Sequence, residues 1–159
     1  MFNSSQRNLN ILVDKLLDIT RESGFSTEDI IKHAKIDLNK PIQEVELPGI
    51  IDYVYNYTKD KTLMVKLGQR VDVTYFGSFG FALMSCSDFK EAIKLVNRYR
   101  LLLGSGINFT VLSNSQNSEY TLRVSLSVFN NLQKKLFTEL VISQSIYLLK
   151  IITNNDKLK

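Results

Sequence analysis

The sequence predicts a helix-rich α+β domain with a small antiparallel sheet, a hairpin near residues 107–126, and a long C-terminal helix. Three observations predict it. An apolar stripe at helical spacing opens the chain, a polar–apolar alternation is confined to residues 107–126, and residues 130–152 are apolar over most of their surface. With 159 residues, the whole of 1–159 fits one domain. A composition of 44% hydrophobic and 23% charged residues is that of an ordinary globular core and surface.

Taken in order, Leu9, Leu12, Val13, Leu16 and Leu17 recur at i, i+3, i+4, i+7 and i+8, which predicts a helix over residues 5–23 facing a core. Gly24 stands where helices commonly end in a left-handed turn. Ser26 can cap a second, short helix, with Glu28 and Asp29 at its positive end and Phe25 placed to staple onto Ile30; it should stop near Lys35. Pro48 suits the first turn of a third helix reaching Thr58, with Ile50, Ile51, Val54 and Tyr55 on its apolar face. Asp60 reads as the cap of a fourth, bearing Leu63, Met64 and Leu67 and closed near Gly68.

Residues 75–85 are apolar almost throughout, and periodicity alone does not separate a buried strand from a buried helix there. Helix is the better reading, because Gly77 and Gly80 are spaced to let another element approach one side. Such packing would offset the ~1 kcal/mol that a glycine costs a helix. Ser87 or Asp88 then starts a helix to about Leu103, with Phe89, Ala92, Ile93, Val96, Tyr99 and Leu103 on its buried face. Ile107, Phe109 and Val111 alternate with polar residues, as do Tyr120, Leu122, Val124 and Leu126, and residues 113–118 supply the turn of an antiparallel hairpin. A lone hairpin is marginal, so it needs helices on one face or strands from elsewhere. In the last helix Leu132, Leu136, Phe137, Leu140, Val141, Ile146, Tyr147, Leu149 and Ile152 leave little polar surface, so it is buried centrally or against another chain.

Charge narrows the function. Twenty basic and 16 acidic residues leave a net +4, but the Lys and Arg are scattered, and pairs such as Lys134-Lys135 are short. A nucleic-acid binder gathers them on one face, so direct DNA binding by these residues is not expected. The first two helices are joined tightly enough to raise a helix-turn-helix reader, yet Glu28 and Asp29 would repel phosphates at the end that must approach DNA. The single Cys86, in an apolar stretch, reads as a buried thiol in a reducing compartment. No signal-peptide core or run of ~18 apolar residues is present, so a cytoplasmic protein without membrane contact is expected.

Chemistry is excluded largely by inventory. His33 is the sole histidine, so any Ser-His or Cys-His site must run through it, and it sits on a short polar helix where a solvated surface role fits. One Cys and one His leave no metal site beyond carboxylates, and no calcium-loop pattern appears. The segments 77–80 and 104–106 match neither the dinucleotide nor the phosphate-loop pattern. Glu44 and Glu46 flank a loop with no pocket signal. No enzyme activity and no cofactor are expected. On physical grounds the chain is a domain that binds something, or itself.

The central block adds a resemblance. Leu67-Gly68-Gln69-Arg70, then Phe76-Gly77-x-x-Gly80-x-Ala82-x-x-Ser85, then Glu91-Ala92-x5-Arg98-Tyr99 resembles one group of AraC-type transcription regulators, in the N-terminal effector domain often labelled "arabinose-binding". The Leu47-Pro48 helix start, the Asp60 turn and the hairpin after the Arg98-Tyr99 helix fall in the same order, so the resemblance runs from about Leu16 to Leu149. It implies a regulatory domain that senses a small-molecule effector, forms a homodimer and controls a C-terminal helix-turn-helix DNA-binding domain that this chain does not contain. DNA would then be met only through that domain. Arabinose is not implied, because the sugar-binding version of the family is a β-barrel and this sequence is helix-rich. The alternative from another class is a stand-alone protein-interaction domain with no effector.

The candidate effector site is the segment 76–99. Phe76, Phe79, Phe81 and Met84 offer aromatic and flexible apolar walls, while Ser85, Arg98 and Tyr99 could orient a ligand, with Arg98 favouring an anionic one. Arg98 has a structural role open to it as well, near the negative end of its helix, and Tyr99 is expected to face the core.

Overall fold

The computed structural model describes residues 4–72, 77–99, 107–114, 119–126 and 130–153. Seven helices and two strands follow one another: α1 Ser4–Glu22, α2 Thr27–His33, α3 Leu47–Thr58, α4 Leu63–Arg70, α5 Ser78–Met84, α6 Phe89–Arg98, β1 Ile107–Asn114, β2 Glu119–Leu126 and α7 Asn131–Thr153.

Helix ends are set by local chemistry. Gly24 takes φ 85° after α1, the left-handed stop expected of it. Ser26 caps α2, its hydroxyl accepting from the Asp29 N–H at 3.1 Å. Asp88 caps α6 by accepting from the Glu91 N–H at 2.8 Å, and Glu91 returns the bond to the Ser87 N–H at 2.7 Å. Asn130 and Gln133 exchange the same kind of pair at the start of α7, at 2.9 and 3.1 Å. Phe25, placed as a staple, has its ring edge-on to Tyr57 at 5.7 Å.

Two expectations near α4 are corrected. Asp60 is not its cap: the helix begins at Leu63, and Asp60 accepts from the Thr62 N–H and hydroxyl in the preceding turn, at 2.8 and 2.7 Å. Gly68 does not close α4, which continues to Arg70. It is a packing position. A Cβ there would lie 2.7 Å from the Leu140 carbonyl oxygen and 3.0 Å from the Gln144 nitrogen, so α4 and α7 touch backbone to backbone. Ser143, buried at this crossing, donates its hydroxyl to the Val65 carbonyl at 2.8 Å.

Two apolar clusters result, and α7 serves both. The larger gathers Val13, Leu16, Ile30, Ile51, Val54, Leu63, Met64 and Leu67 from α1–α4 around Leu136, Phe137 and Leu140. The smaller joins Leu83 of α5 and Ala92 and Val96 of α6 to Leu148, with Phe79, Met84, Cys86, Leu95 and Ile151 partly buried around it.

The strands pair antiparallel in a register that sets Ile107 opposite Leu126, Phe109 opposite Val124 and Val111 opposite Leu122. The register thus pairs the alternating apolar positions of the two strands with one another, and β1 lies against α6. Among the described residues the pairing stops at these two strands. Helices make the core, so the chain is helix-rich rather than an α+β layer structure. The helix expected to reach Leu103 ends at Arg98, and Leu103 lies outside the described residues.

Candidate functional site

The segment 76–99 is only partly drawn together. Phe79, half-buried on α5, meets Tyr99 edge-on with ring centroids 5.9 Å apart. Met84 packs beside it on the small cluster. Ser85 turns its hydroxyl back to the Phe81 carbonyl at 2.9 Å, ending α5. Arg98 is exposed in the last turn of α6, where a positive charge suits the helix dipole, and it has no ion-pair partner among the described residues. Phe81 points away, 58% exposed. Phe76 lies outside the described residues.

Tyr99 corrects the sequence reading. It is 42% exposed rather than facing the core. The helical period that puts it in line with Ala92 and Val96 no longer applies at the C-cap, where its backbone turns to φ −106°, ψ 18°. What forms is an open aromatic shelf over the small cluster, with a guanidinium beside it in sequence. Gly77 opens α5 in the left-handed region, at φ 58°, with open space where a Cβ would stand, so conformation rather than close packing explains it.

The α4–α7 seam carries a shallow groove of about 730 Å³. Val65 of α4 and Ile142 of α7 lie in it at 37% and 47% exposed, with Ile146 one turn on from Ile142, Lys150 further along, and Glu139 at the other end. The terminal helix, expected to be buried, thus leaves an apolar strip open.

A second cleft, of about 830 Å³, lies between α2, the following loop and the start of α3. The sequence reading placed no pocket there, yet Glu46 lines it. His33 is exposed, as expected, but its ring stacks on Tyr53 at 6.2 Å and 7°, and Tyr53 stacks on Tyr57 at 5.9 Å. The i, i+4 spacing of the two tyrosines was the signal available in the sequence.

Electrostatics on the described surface serve structure. Arg70 of α4 grips Glu22 of α1 with both guanidinium nitrogens, one bond at 2.6 Å, and these bonds hold the Glu22 carboxyl below its ordinary range. Burial pushes Asp60 up, but bonds from Lys66 and Thr62 outweigh it and leave the carboxyl lowered. Cys86 is half-buried rather than fully so; burial raises its thiol, and Glu91 and Asp88 raise it further, which makes a poor nucleophile. Among the described residues no group of three His, Cys, Asp or Glu could hold a metal, and no helix is long and apolar enough to cross a membrane.

The comparison with known proteins falls on this same architecture. Residues 46–154, from α3 through α7, match the model of the arabinose-binding domain of AraC transcription regulators, N-terminal. The chain belongs to that family. Its members are domains of transcription regulators and not enzymes. This AraC-type domain is also similar to an uncharacterised HTH-type transcriptional regulator of Mycobacterium bovis and to another of Mycobacterium tuberculosis, each 28% identical over 103 residues. Those matches take in 60% of this chain and 30% of each relative. No solved structure matches. Of the segments that carry the resemblance, Leu67–Arg70 lies on α4, Gly77–Ser85 along α5 and Glu91–Tyr99 along α6, and the first includes the Gly68 crossing.

Proposed function

We propose that this chain is the sensing and dimerising part of a cytoplasmic AraC-type regulator, and that it controls a helix-turn-helix DNA-binding domain C-terminal to it. The observation that carries the reading is the family match over residues 46–154, supported by two relatives named as HTH-type regulators. DNA contact belongs to the C-terminal domain, since Lys and Arg here gather on no single face of the sequence.

Dimerisation uses the α4–α7 groove, and its occupant is a second copy of the chain. Val65, Ile142 and Ile146 supply an apolar strip, and Glu139 and Lys150 stand at its two ends, roughly 16 Å apart along α7. A twofold axis through the middle sets each end against the opposite charge of the partner, as a self-complementary interface requires. Effector binding uses the shelf of Phe79, Met84, Ser85, Arg98 and Tyr99, with Phe76 and Phe81 adjoining in sequence, and the exposed guanidinium of Arg98 selects an anionic compound.

Sedimentation of the chain at micromolar concentration should give twice the monomer mass of 18.2 kDa. Ile142→Glu, at a 47%-exposed position, should return it to a folded monomer that keeps the parent's helical signal. A monomer at high concentration overturns the dimer. In a thermal-shift screen of carboxylated metabolites and fatty acids, a stabilising compound should lose its effect in Arg98→Ala; an intact shift in that variant overturns the shelf.

A further inference from the structure

We propose that the cleft between α2 and α3 is a binding site for a small aromatic carboxylate. It stands apart from the sensing shelf and the dimer groove, and its residues His33, Lys35, Ile36 and Ile42 precede the family-matched segment. Others of its lining residues, Glu46, Gly49, Ile50 and Tyr53, lie inside that segment.

The cavity comes first. Its volume of about 830 Å³ is that of a small-molecule pocket, commonly about 300–1,000 Å³. Its floor is Ile36, Ile42 and Ile50, each at most 8% exposed and part of the large core, so the floor does not yield. Its wall is flat and already assembled. The His33 ring is fixed by an Nδ1 contact to the Asp29 carbonyl at 2.8 Å and lies nearly parallel to Tyr53, which Tyr57 backs in turn. A rigid aromatic wall costs little ordering on binding and favours a flat ring in offset stacking. Gly49 supplies the gap: nothing lies within 4 Å of the place a Cβ would occupy.

Charge on the rim then selects the ligand's polar end. Lys40 is committed to Asp37 at 3.0 Å, and the Glu46 carboxylate accepts from the Gln43 N–H at 2.7 Å. Lys35 has no ion-pair partner among the described residues. It also sits in the left-handed region, at φ 55°, where a lysine is strained and a glycine would not be. One uncommitted ammonium matches one carboxylate. A dianion would meet Asp37 and Glu46 on the same rim, so a monocarboxylate fits better than a phosphate.

The test titrates the chain with 2-naphthoate and, separately, with neutral 2-naphthamide, followed by proton–nitrogen correlation spectra. Saturable shifts are expected at the amides of Lys35, Gly49 and Tyr53, with the amide compound binding about tenfold more weakly for loss of the charge-assisted bond. Lys35→Gln should bind both compounds alike. Gly49→Leu, which meets open space and improves the helix, should abolish binding while holding or raising the melting temperature. Arg98→Ala should bind as the parent does. The proposal is overturned by absence of saturable shifts at those three amides, by equal affinity for acid and amide, or by unimpaired binding in Gly49→Leu. Shifts confined to residues 79–99 and lost in Arg98→Ala overturn it while supporting the shelf, and the oligomeric state bears on neither outcome.

Discussion

One helix, α7, is held by two regions built to different standards. Around Leu136 and Leu140 it packs on α3 and α4 within the large cluster, with a backbone contact at Gly68, a buried Ser143 hydrogen bond and a bond from Gln133 to Asp52 at 2.7 Å. Around Leu148, further along, the buried residues clustered with it among the described residues are Leu83, Ala92 and Val96, with half-buried Phe79, Met84 and Cys86 packed against them. The first region gathers most of the buried side chains. The second carries the hairpin and the open aromatic shelf. Local opening is drawn from parts with few buried contacts, so the second region should breathe while the first stays shut. The shelf proposed for sensing lies on this second side, where a bound ligand would alter populations without unfolding the whole domain.

The same substitution at both places sharpens the contrast. Leu136→Ala empties a fully buried site and should cost about 3–5 kcal/mol, lowering the urea midpoint for the whole molecule. Leu148→Ala, at 7% exposed, should cost about 2 kcal/mol, and amide exchange should quicken in β1, β2 and α6 but not in α1–α4. Identical losses with uniform exchange would break the distinction.

Gly68→Ala comes next. The added methyl gains helix propensity worth about 1 kcal/mol but drives into backbone atoms, and the net loss should be about 1–3 kcal/mol in chemical denaturation. A stabilised variant would show that the crossing is looser than its distances.

The smallest effect is electrostatic and also belongs to the first region. Hydrogen bonding to Arg70 lowers Glu22, so the folded state favours the ionised carboxylate. That contribution is present above the ordinary carboxylate range and fades as pH falls through the lowered value. Arg70→Gln should lower stability slightly at neutral pH, and the difference from the parent should vanish as pH falls through the carboxylate range, which flattens the acid limb. An acid limb identical to the parent's would remove the clamp from the account.

Signals that act within a few residues were legible in the sequence. The α1 stripe, the Ser26 and Asp88 caps, the Gly24 stop and the hairpin alternation all have local causes, and each is found where its chemistry puts it. One failure depended on a distant partner. A glycine near the end of a periodic run reads as a cap, and only α7, some seventy residues on, makes Gly68 a contact point. Tyr99 kept its place in the period but lost its face when the helix ended. The candidate site fared similarly: its aromatic residues were identifiable, yet exposure divided Phe81 from Phe79 and Met84. The α2–α3 cleft was missed because its parts, a histidine, a lysine and a tyrosine on separate segments, have no shared spacing to read.

The Gly68 crossing also constrains how the chain can change over generations. Two of the three atoms nearest the absent methyl, the Leu140 oxygen and the Gln144 nitrogen, are main chain. Trimming Ser143 to glycine would clear the third but not those two. A defect at position 68 therefore has no compensating side-chain exchange on the opposite helix. In a genetic search for suppressors, revertants should arise at codon 68 itself, or at sites elsewhere that raise stability generally, and not as matched pairs across the seam.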